Sequence, residues 1–254
     1  MTMDKKIRLD KLLSEHADRT RSQVRASIKN GMVRVNGSVI KEAGYKISAA
    51  DRVSFDGQPV IYEEFSCYML NKPIGCVSAT KDNLSRTVLD LLKDVSTKKM
   101  FPVGRLDKDT EGLLLITDDG MLAHQLLSPK KHVEKTYYAI LDDVLTEQNM
   151  EALKTGIEIG DEKPCLPAAV KKCGEETDRP EFQGISTQAY EITIVEGRFH
   201  QVKRMFAKCG RQVLYLKRIS MGTLVLDRNL KPGEFRRLTE TEERLLRTDH
   251  GKTE

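Results

Sequence analysis

Residues 104–120, with the sequence GRLDKDTEGLLLITDDG, constrain the fold of this chain more than any other stretch. Within them, residues 113–116 form a continuous apolar run closed by Asp-Asp-Gly, which predicts a fully buried strand that ends in a turn. The preceding half is a polar loop between two glycines. Asp107 lies in this loop, two residues after Arg105, where burial and neighbouring charge can tune its pKa. Asp107 is therefore a candidate for the group that does chemistry, although Arg-x-Asp loops more often hold a surface ion pair.

The length and the cysteine pattern limit the class of protein. The chain has 254 residues, enough for one large core with or without a small module. No apolar run approaches the ~20 residues that a membrane helix needs, and the first residues lack the apolar stretch of a signal peptide. The 5 cysteines form no C-x-x-C pair and the 5 histidines show no H-x-x-x-H spacing. We therefore expect a cytoplasmic protein without a disulfide framework or a metal site.

Positive charge is concentrated in the first quarter of the chain. Residues 1–60 contain 12 Lys and Arg against 7 Asp and Glu, whereas the whole chain contains 42 against 38. The remainder is close to neutral. A small basic module joined to a nearly neutral domain indicates that the module supplies phosphate affinity.

The basic module predicts two helices followed by small strands. Residues 7–16 carry apolar side chains with a helical period, and a second helix begins at Thr20 or Ser22 and ends at Asn30-Gly31. Residues 32–40 predict a hairpin around a type I′ turn dipeptide, and another strand follows at 51–55.

The second helix carries a basic stripe. Arg21, Arg25 and Lys29 are spaced four residues apart, so their charges line one face, while Val24 and Ile28 turn another face inward. Such a stripe binds RNA in some proteins and is only a solvated face in others.

The rest of the chain mixes strands and helices. Residues 59–64 resemble a linker in composition, and residues 171–184 a surface loop. The predicted strands are 67–73, 113–116, 135–141, 188–195 and 213–219, and the predicted helices are 87–92, 121–127, 144–154, 202–209 and 239–246. This order predicts the α+β class with a mixed, mainly antiparallel sheet.

Three segments of the basic module occur in an order that resembles the S4 RNA-binding module. They are IRLDKLL at 7–13, TRS at 20–22 and GMVRVNG at 31–37. The resemblance implies an RNA-binding domain over residues 1–60, a linker at 61–64, and a second helix that faces structured RNA. The residues implied as RNA contacts are Arg8, Lys11, Arg21, Ser22, Arg25 and Lys29.

Three later segments resemble the pseudouridine synthases, in particular the branch that acts on ribosomal RNA and carries an N-terminal S4 module. They are LNKP at 70–73, the stretch 104–120, and EGRFHQVKR at 196–204, with KTY at 135–137 as an intervening strand. The sequence of residues 199–206 is more similar to that of the small-subunit enzymes than to that of their large-subunit relatives. The resemblance implies a catalytic domain over residues 65–248, followed by a tail at 249–254.

The isomerisation of uridine breaks a C–N bond and makes a C–C bond without exchanging electrons or groups, so we expect no cofactor. The resemblance gives Asp107 the role of nucleophile or base, Lys203 that of its cationic partner, and Tyr137 that of the ring that holds a flipped uracil. Arg105 would reach the RNA backbone or fill the space left by the flipped base. Whether Asp107 attacks the base or acts at the ribose stays open.

Further residues are expected around this cleft. Tyr138 is expected in the core, and Asp109 and Asp118 are expected to be loop and turn carboxylates. The additional RNA contacts predicted in the catalytic domain are Lys72, Arg198, His200 and Arg204.

Three functions remain open on the sequence. The first is isomerisation of a uridine in 16S ribosomal RNA, and the second is the same chemistry on 23S RNA. The third is a non-enzymatic RNA-binding protein of ribosome assembly. The expected partner is 16S RNA or a small-subunit assembly intermediate, bound by a monomer that needs no membrane and no nucleotide cofactor.

Overall fold

The structure, a computed structural model, describes residues 6–16, 19–48, 50–60, 65–174, 180–182 and 187–248. The chain divides into two compact units, residues 1–65 and 66–254. The predicted linker at 61–64 and the predicted tail at 249–254 lie outside the described residues. None of the helices in the described part of the chain combines the length and the apolar character needed to cross a membrane.

The first unit is a small α+β module in which two helices pack against short strands. Its core is formed by Leu9, Leu12, Leu13, Val24, Ile28, Val33, Ile47 and neighbouring apolar residues. Its elements are β1 (Ile7–Arg8), α1 (Leu9–His16), α2 (Arg21–Lys29), β2 (Val33–Val35), β3 (Ser38–Val39), β4 (Lys46–Ile47), β5 (Val53–Phe55) and β6 (Gln58–Val60).

Local signals fix most of this unit. The Thr20 hydroxyl accepts from the Gln23 amide at 3.3 Å, and the Gln23 side chain accepts from the Thr20 amide at 2.8 Å, which is the capping box that starts α2. Asn36 and Gly37 have φ of 50° and 84°, as the predicted type I′ hairpin between β2 and β3 requires.

Two predictions in this unit were wrong because strand pairing overrides local pattern. Ile7 and Arg8, predicted as the start of a helix, form β1 and pair antiparallel with β4. Pro59 and Val60, predicted as part of the linker, belong to β6 and pair with β5.

The second unit is built on one large sheet. Its elements are β7 (Cys67–Lys72), β8 (Phe101–Pro102), β9 (Glu111–Thr117), α3 (Gly120–Leu127), β10 (Lys135–Leu141), α4 (Glu147–Thr155), β11 (Ala169–Gly174), β12 (Gln188–Ile194), α5 (Gln201–Lys208), β13 (Val213–Met221), β14 (Leu224–Val225), β15 (Phe235–Arg237) and α6 (Glu240–Thr248). Single-turn 3-10 helices lie at Leu89–Leu91, Pro129–Lys131 and Pro180–Phe182.

The sheet has the strand order β11-β12-β10-β13-β9-β7-β15, with β14 beside β13 and β8 beside β9. Among the strands of the described residues, β9 and β13 are parallel and the other neighbours in this sheet are antiparallel. One core cluster contains residues of α4 and α5, and a second contains residues of α3 and α6. The predicted α+β class with a mixed, mainly antiparallel sheet is confirmed.

Gly112 allows the parallel contact between β9 and β13. Its φ is +103°, a region that favours glycine. A Cβ atom at this position would lie 2.2 Å from the Arg218 carbonyl oxygen and 2.8 Å from the Arg218 amide nitrogen. The start of β9, just after the loop that holds Asp107, is therefore seated directly against the backbone of β13.

Four local predictions in the second unit need correction. The helix predicted from Val144 starts at Glu147, because Thr146 caps it by accepting from the Asn149 amide at 3.1 Å. Residues 171–174 of the predicted loop belong to β11, and the helix predicted at 87–92 is a single 3-10 turn. Tyr138 is half-buried and belongs to neither core cluster, since its cross-strand neighbours are Glu191 and Lys217.

Candidate active site

The loop that carries Asp107 connects β8 to β9, and hydrogen bonds to its backbone fasten it. The Ser78 hydroxyl donates to the Leu106 carbonyl at 2.8 Å and accepts from the Leu106 amide at 3.0 Å. The Thr110 amide donates to the Asp107 carbonyl at 3.1 Å. The backbone of Asp107 is thus fixed by its own domain, which pre-organises the carboxylate.

Lys72 completes this anchor, and its predicted role as an RNA contact was wrong. The side chain has no exposed surface, and its ammonium donates to the carbonyl oxygens of Pro73, Asp107 and Thr110 at 3.0, 2.9 and 2.9 Å. Burial lowers the pKa of Lys72 to about 8. The ammonium is enclosed by the chain and ties β7 to the loop that carries Asp107, so it cannot reach a phosphate.

Lys203 of α5 lies between two carboxylates of the loop. Its Nζ is 3.2 Å from Asp107 Oδ2 and 2.5 Å from Asp109 Oδ1. His200 Nε2 approaches the other Asp107 oxygen at 3.5 Å. The Asp107 side chain is 28% exposed, so the carboxylate is partly shielded from water and still open to a ligand.

Asp109 therefore has a larger part than the loop carboxylate that the sequence predicted. Burial raises the pKa of its carboxyl, but the hydrogen bond and the charge of the Lys203 ammonium outweigh burial and hold the pKa below its usual range. The available signal was its position, two residues after Asp107 in the same polar loop. Asp118, by contrast, was predicted as a turn carboxylate, and it lies directly after β9, where it accepts from the Ser66 amide at 2.7 Å.

The start of α5 places Lys203 at the loop. The helix begins at Gln201, after His200 in the left-handed region with a φ of 49°, and the buried side chains of Val202, Met205 and Phe206 fix its inner face. Helical periodicity then puts Lys203 next to this face, where it meets Asp107.

Arg198 and Arg204 fasten the segment around the start of α5. Their partners within the chain are Glu196, Asp161 and the carbonyl oxygens of residues 163 and 164 for Arg198, and Asp161 and the carbonyl oxygens of residues 159 and 199 for Arg204. Both guanidinium groups thus hold neighbouring segments of the chain together. Their predicted contacts with RNA stay a prediction.

A cavity of about 120 Å³ opens beside the Asp107 carboxylate. Tyr137 of β10 lines it and is 8% exposed. Arg105 also lines it, and its exposed side chain has no hydrogen-bond or ion-pair partner among the described residues. The aliphatic lining comes from Leu106, Leu127, Ile194, Val202 and Leu216.

Two buried cations, Lys135 and Arg218, line the same cavity, and no sequence pattern predicted them. A signal was present for Lys135. It precedes Tyr137 by two residues in an extended strand, and strand alternation puts both side chains on one face.

In the first unit, three predicted RNA contacts surround one carboxylate. Asp10 has no exposed surface, and it accepts from Arg8 at 3.0 Å, from Arg21 at 3.3 Å and from Arg25 at 2.9 Å. The three arginine side chains are 48–52% exposed. Lys11, Ser22 and Lys29 are also exposed. The basic stripe is therefore an ordered cluster of guanidinium groups that still faces solvent.

The described residues contain no group of three or more His, Cys, Asp or Glu side chains that could hold a metal ion. The functional groups that line the cavity are a carboxylate paired with an ammonium, an imidazole, an aromatic ring and several cationic groups. Such a set can supply a nucleophile or a general base and can bind a polyanion.

Comparison with known proteins agrees with this arrangement. The sequence profile described as RNA pseudouridylate synthase matches residues 66–208, and that of the S4 domain matches residues 7–53. An uncharacterized RNA pseudouridine synthase of Bacillus subtilis is 43% identical over 94% of this chain and 98% of its own length. Ribosomal small subunit pseudouridine synthase A of Haemophilus influenzae is 38% identical, over 93% of this chain and 97% of the relative. The Escherichia coli protein of the same name is 37% identical, over 93% and 98%.

A solved structure supports the same relationship. The crystal structure of a pseudouridylate synthase matches with a TM-score of 0.63 and 39% identity, over 94% of this chain and 99% of the other. The profile covers more than half of the chain, and the relatives are matched over nearly their whole length. The chain therefore belongs to the RNA pseudouridylate synthase family, and the protein is an RNA pseudouridine synthase, an isomerase.

Proposed function

We propose that this enzyme converts a uridine of the small-subunit (16S) ribosomal RNA into pseudouridine, with Asp107 as the group that starts the reaction. The observation that carries the proposal is the pairing of Asp107 with Lys203 at 3.2 Å beside a cavity lined by Tyr137. Support for the small-subunit target comes from the relatives in Haemophilus influenzae and Escherichia coli, which are named as small-subunit enzymes.

The reaction needs a carboxylate that stays ionised when RNA closes over it. Loss of solvent on RNA binding shifts a carboxylate toward its neutral form. The Lys203 ammonium, 3.2 Å from Asp107 Oδ2, opposes that shift. A protonated His200, with Nε2 3.5 Å from Asp107 Oδ1, would oppose it too. Asp107 then acts at the ribose or the base as nucleophile or general base.

The target uridine has to leave its stack to reach Asp107. Tyr137 offers an aromatic surface inside the cavity, and stacking of one base on such a ring is worth ~1–3 kcal/mol. Arg105 has an exposed, unpaired guanidinium at the same cavity. It contacts the RNA backbone or occupies the space that the flipped base vacates.

The first unit supplies affinity for the RNA backbone. Asp10 holds the guanidinium groups of Arg8, Arg21 and Arg25 in place, and their exposed parts face solvent as a ready-made phosphate site. The exposed Lys11, Ser22 and Lys29 extend this surface. A phosphate-binding surface of this type sets the affinity and the orientation of the bound RNA, and the choice of nucleotide depends on RNA shape.

The decisive test replaces Asp107 by Asn, which keeps the size of the side chain and removes its charge. We expect unchanged RNA affinity and no detectable pseudouridine, measured by tritium release from RNA labelled at C5 of uridine. Asp118→Asn is the matched control and should keep its activity. Pseudouridine formation by Asp107→Asn at the wild-type rate would contradict the role of Asp107.

A second test addresses the target. Pseudouridine is mapped on 16S and 23S RNA from a strain that lacks this protein, and on free 16S RNA and small-subunit assembly intermediates treated with the purified enzyme. Loss of one site in 16S RNA alone is the expected result. Loss of a site in 23S RNA instead would move the target to the large subunit.

A further inference from the structure

Two cations lie buried at the cavity with no acidic partner in the part of the chain that the structure describes. Lys135 is 8% exposed and Arg218 is 2% exposed. Lys135 Nζ donates to the Val133 carbonyl at 2.7 Å, and Arg218 Nε donates to the Leu113 carbonyl at 2.8 Å. The terminal Nη2 of Arg218 is buried and has no hydrogen-bond partner among the described residues. Buried charges in proteins are normally paired, so this arrangement calls for a ligand.

The strand register places both cations beside the ring that is proposed to hold the base. Lys135 and Tyr137 are two residues apart on β10, and Arg218 of β13 is the cross-strand partner of Tyr137. Residues two apart in a strand, and direct cross-strand partners, project from the same face of a sheet. All three residues line the cavity.

The charges that line the cavity support the same conclusion, that these two cations bind a ligand. Its lining contains five Lys and Arg residues against one carboxylate, Asp107. Lys203 pairs with Asp107, Arg198 pairs with Glu196 outside the cavity lining, and Arg105 is exposed. The buried positive charge left without an acidic partner among the described residues is therefore that of Lys135 and Arg218. Burial and the neighbouring Arg218 charge lower the pKa of Lys135 to about 8.

We propose that Lys135 and Arg218 bind the carbonyl oxygens of the flipped uracil and stabilise the negative charge that the base carries after it leaves the sugar. This inference rests on the proposed function. When the C1′–N1 bond breaks, its electron pair stays on the uracil and is delocalised over N1, O2 and O4. C1′ is then captured by the Asp107 carboxylate or relieved by loss of a C2′ proton to it.

The second half of the reaction balances within the same site. C5 forms a bond to C1′ as the ester bond between C1′ and Asp107 breaks or, on the second route, as the proton held by Asp107 returns to C2′. The C5 proton then leaves and N1 gains a proton, so the product is an isomer of the substrate. Both routes at the ribose pass through an anionic base, and attack of Asp107 on the base itself would also place negative charge on a carbonyl oxygen. Fixed positive groups aimed at developing charge are among the largest contributions to catalysis.

A purely structural role explains only part of these contacts. The bond from Arg218 Nε to Leu113 ties β13 to β9, and it accounts for the position of the arginine. It leaves Nη2 without a partner and gives no reason for an ammonium at position 135. A structural role also predicts that Lys135→Met, which removes a poorly compensated buried charge, leaves the rate unchanged.

The test compares Lys135→Met, Arg218→Gln and Arg218→Lys with Lys154→Met, which removes an exposed lysine outside the cavity lining. The measurements are the single-turnover rate by tritium release, the equilibrium affinity for RNA, and the melting temperature. We expect Lys135→Met and Arg218→Gln each to lower the rate about 100-fold. RNA affinity should equal that of Lys154→Met, and Arg218→Lys should recover part of the rate. Lys135→Met should also melt about 2 °C or more higher, because it removes a desolvated ammonium.

A substrate change makes the assignment specific. RNA with 2-thiouridine or 4-thiouridine at the target replaces one carbonyl oxygen by sulfur, a weaker acceptor. One of these substitutions should slow the wild-type enzyme more than it slows Lys135→Met or Arg218→Gln. An equal loss in all three enzymes, for both substitutions, would overturn the contact.

Two further outcomes separate this inference from the function on which it rests. Rates of Lys135→Met and Arg218→Gln within about threefold of Lys154→Met, with wild type active and Asp107→Asn inactive, would overturn this inference alone. An active Asp107→Asn would overturn the proposed function instead. Should Arg218→Gln not fold, Lys135→Met decides the question.

Discussion

Asp10 in the first unit and Asp107 in the second are both carboxylates beside basic side chains, and their surroundings differ in every respect that matters for reactivity. Asp10 has no exposed surface and accepts from three guanidinium groups. Asp107 is 28% exposed and shares one ammonium with Asp109. The carboxylate of Asp10 is thus enclosed by its three donors, whereas part of the Asp107 side chain stays accessible to a substrate.

The same contrast applies to the cations. The arginines around Asp10 form part of an exposed surface, and their pairing fixes direction without removing access. Lys203 is 23% exposed, and its ammonium is paired with the two loop carboxylates, Asp107 and Asp109. A carboxylate with excess cations organises a binding surface, and a carboxylate with a shared cation is available for chemistry.

After the complete loss expected for Asp107→Asn, the largest effect should come from removing the shared cation. Lys203→Met should lower the single-turnover rate by about 100-fold or more, because the carboxylate that is proposed to start the reaction then loses its paired cation, 3.2 Å away. Lys203→Arg should retain much of the rate. RNA affinity and melting temperature are measured in parallel, and a rate for Lys203→Met within threefold of wild type would contradict the pairing.

Asp10→Asn is expected to have the next largest effect, on stability and RNA binding rather than on chemistry. Loss of the buried carboxylate leaves three guanidinium groups without their common acceptor, which should lower the free energy of unfolding by about 2 kcal/mol. RNA affinity should fall although the net charge rises by one, because the arginines lose their fixed positions. Asp56→Asn in the exposed turn is the charge-matched control, and both variants are measured by denaturant unfolding and RNA titration.

The pH dependence follows from the same carboxylate. The hydrogen bond from Arg8 leads the interactions that hold the pKa of Asp10 well below its usual range, against the opposing effect of burial. The unfolded chain therefore binds this proton at a higher pH than the folded protein does. Stability from Asp10 is present above about pH 4 and is lost as the pH falls further. The difference in stability between wild type and Asp10→Asn should be constant from pH 5 to 7 and shrink below pH 4, as followed by urea midpoints.

The smallest effect is expected at Asp109. Its side chain is 70% exposed, so Asp109→Asn should change the single-turnover rate by less than about fivefold. A loss as large as that of Lys203→Met would show that Asp109, and not only Asp107, takes part in the chemistry.

Sequence patterns predicted the locally encoded parts of the molecule. The start of the second helix at Thr20 or Ser22, the Asn36-Gly37 turn and the buried run at 113–116 are each encoded within a few residues, and the structure has all three, with Thr20 as the cap. The pairing of Asp107 with Lys203, by contrast, joins residues far apart in the chain. It followed only from the resemblance of both segments to one family.

The failures near the site share one physical cause, which is that burial of a side chain depends on groups distant in sequence. Lys72 precedes a proline at a turn and looks exposed, yet carbonyl oxygens from residues 107 and 110 enclose it. Lys135 and Arg218 sit in strand patterns that do not indicate whether a cavity lies beside them. Tyr138 shows the converse, since its face of β10 carries charged neighbours and leaves the ring half-buried.

The seat of Gly112 against β13 has a consequence for how this enzyme can be altered. The added methyl group of an alanine would meet the backbone of the very residue proposed to bind the base, and backbone cannot rotate away as a side chain can. A saturation library across residues 104–112 should therefore lose activity at position 112 for every replacement, including the smallest, alongside the expected loss at position 107. Two independent requirements decide which replacements this segment accepts: the carboxylate at position 107 and the lack of space at position 112. A screen that measures only activity does not distinguish them.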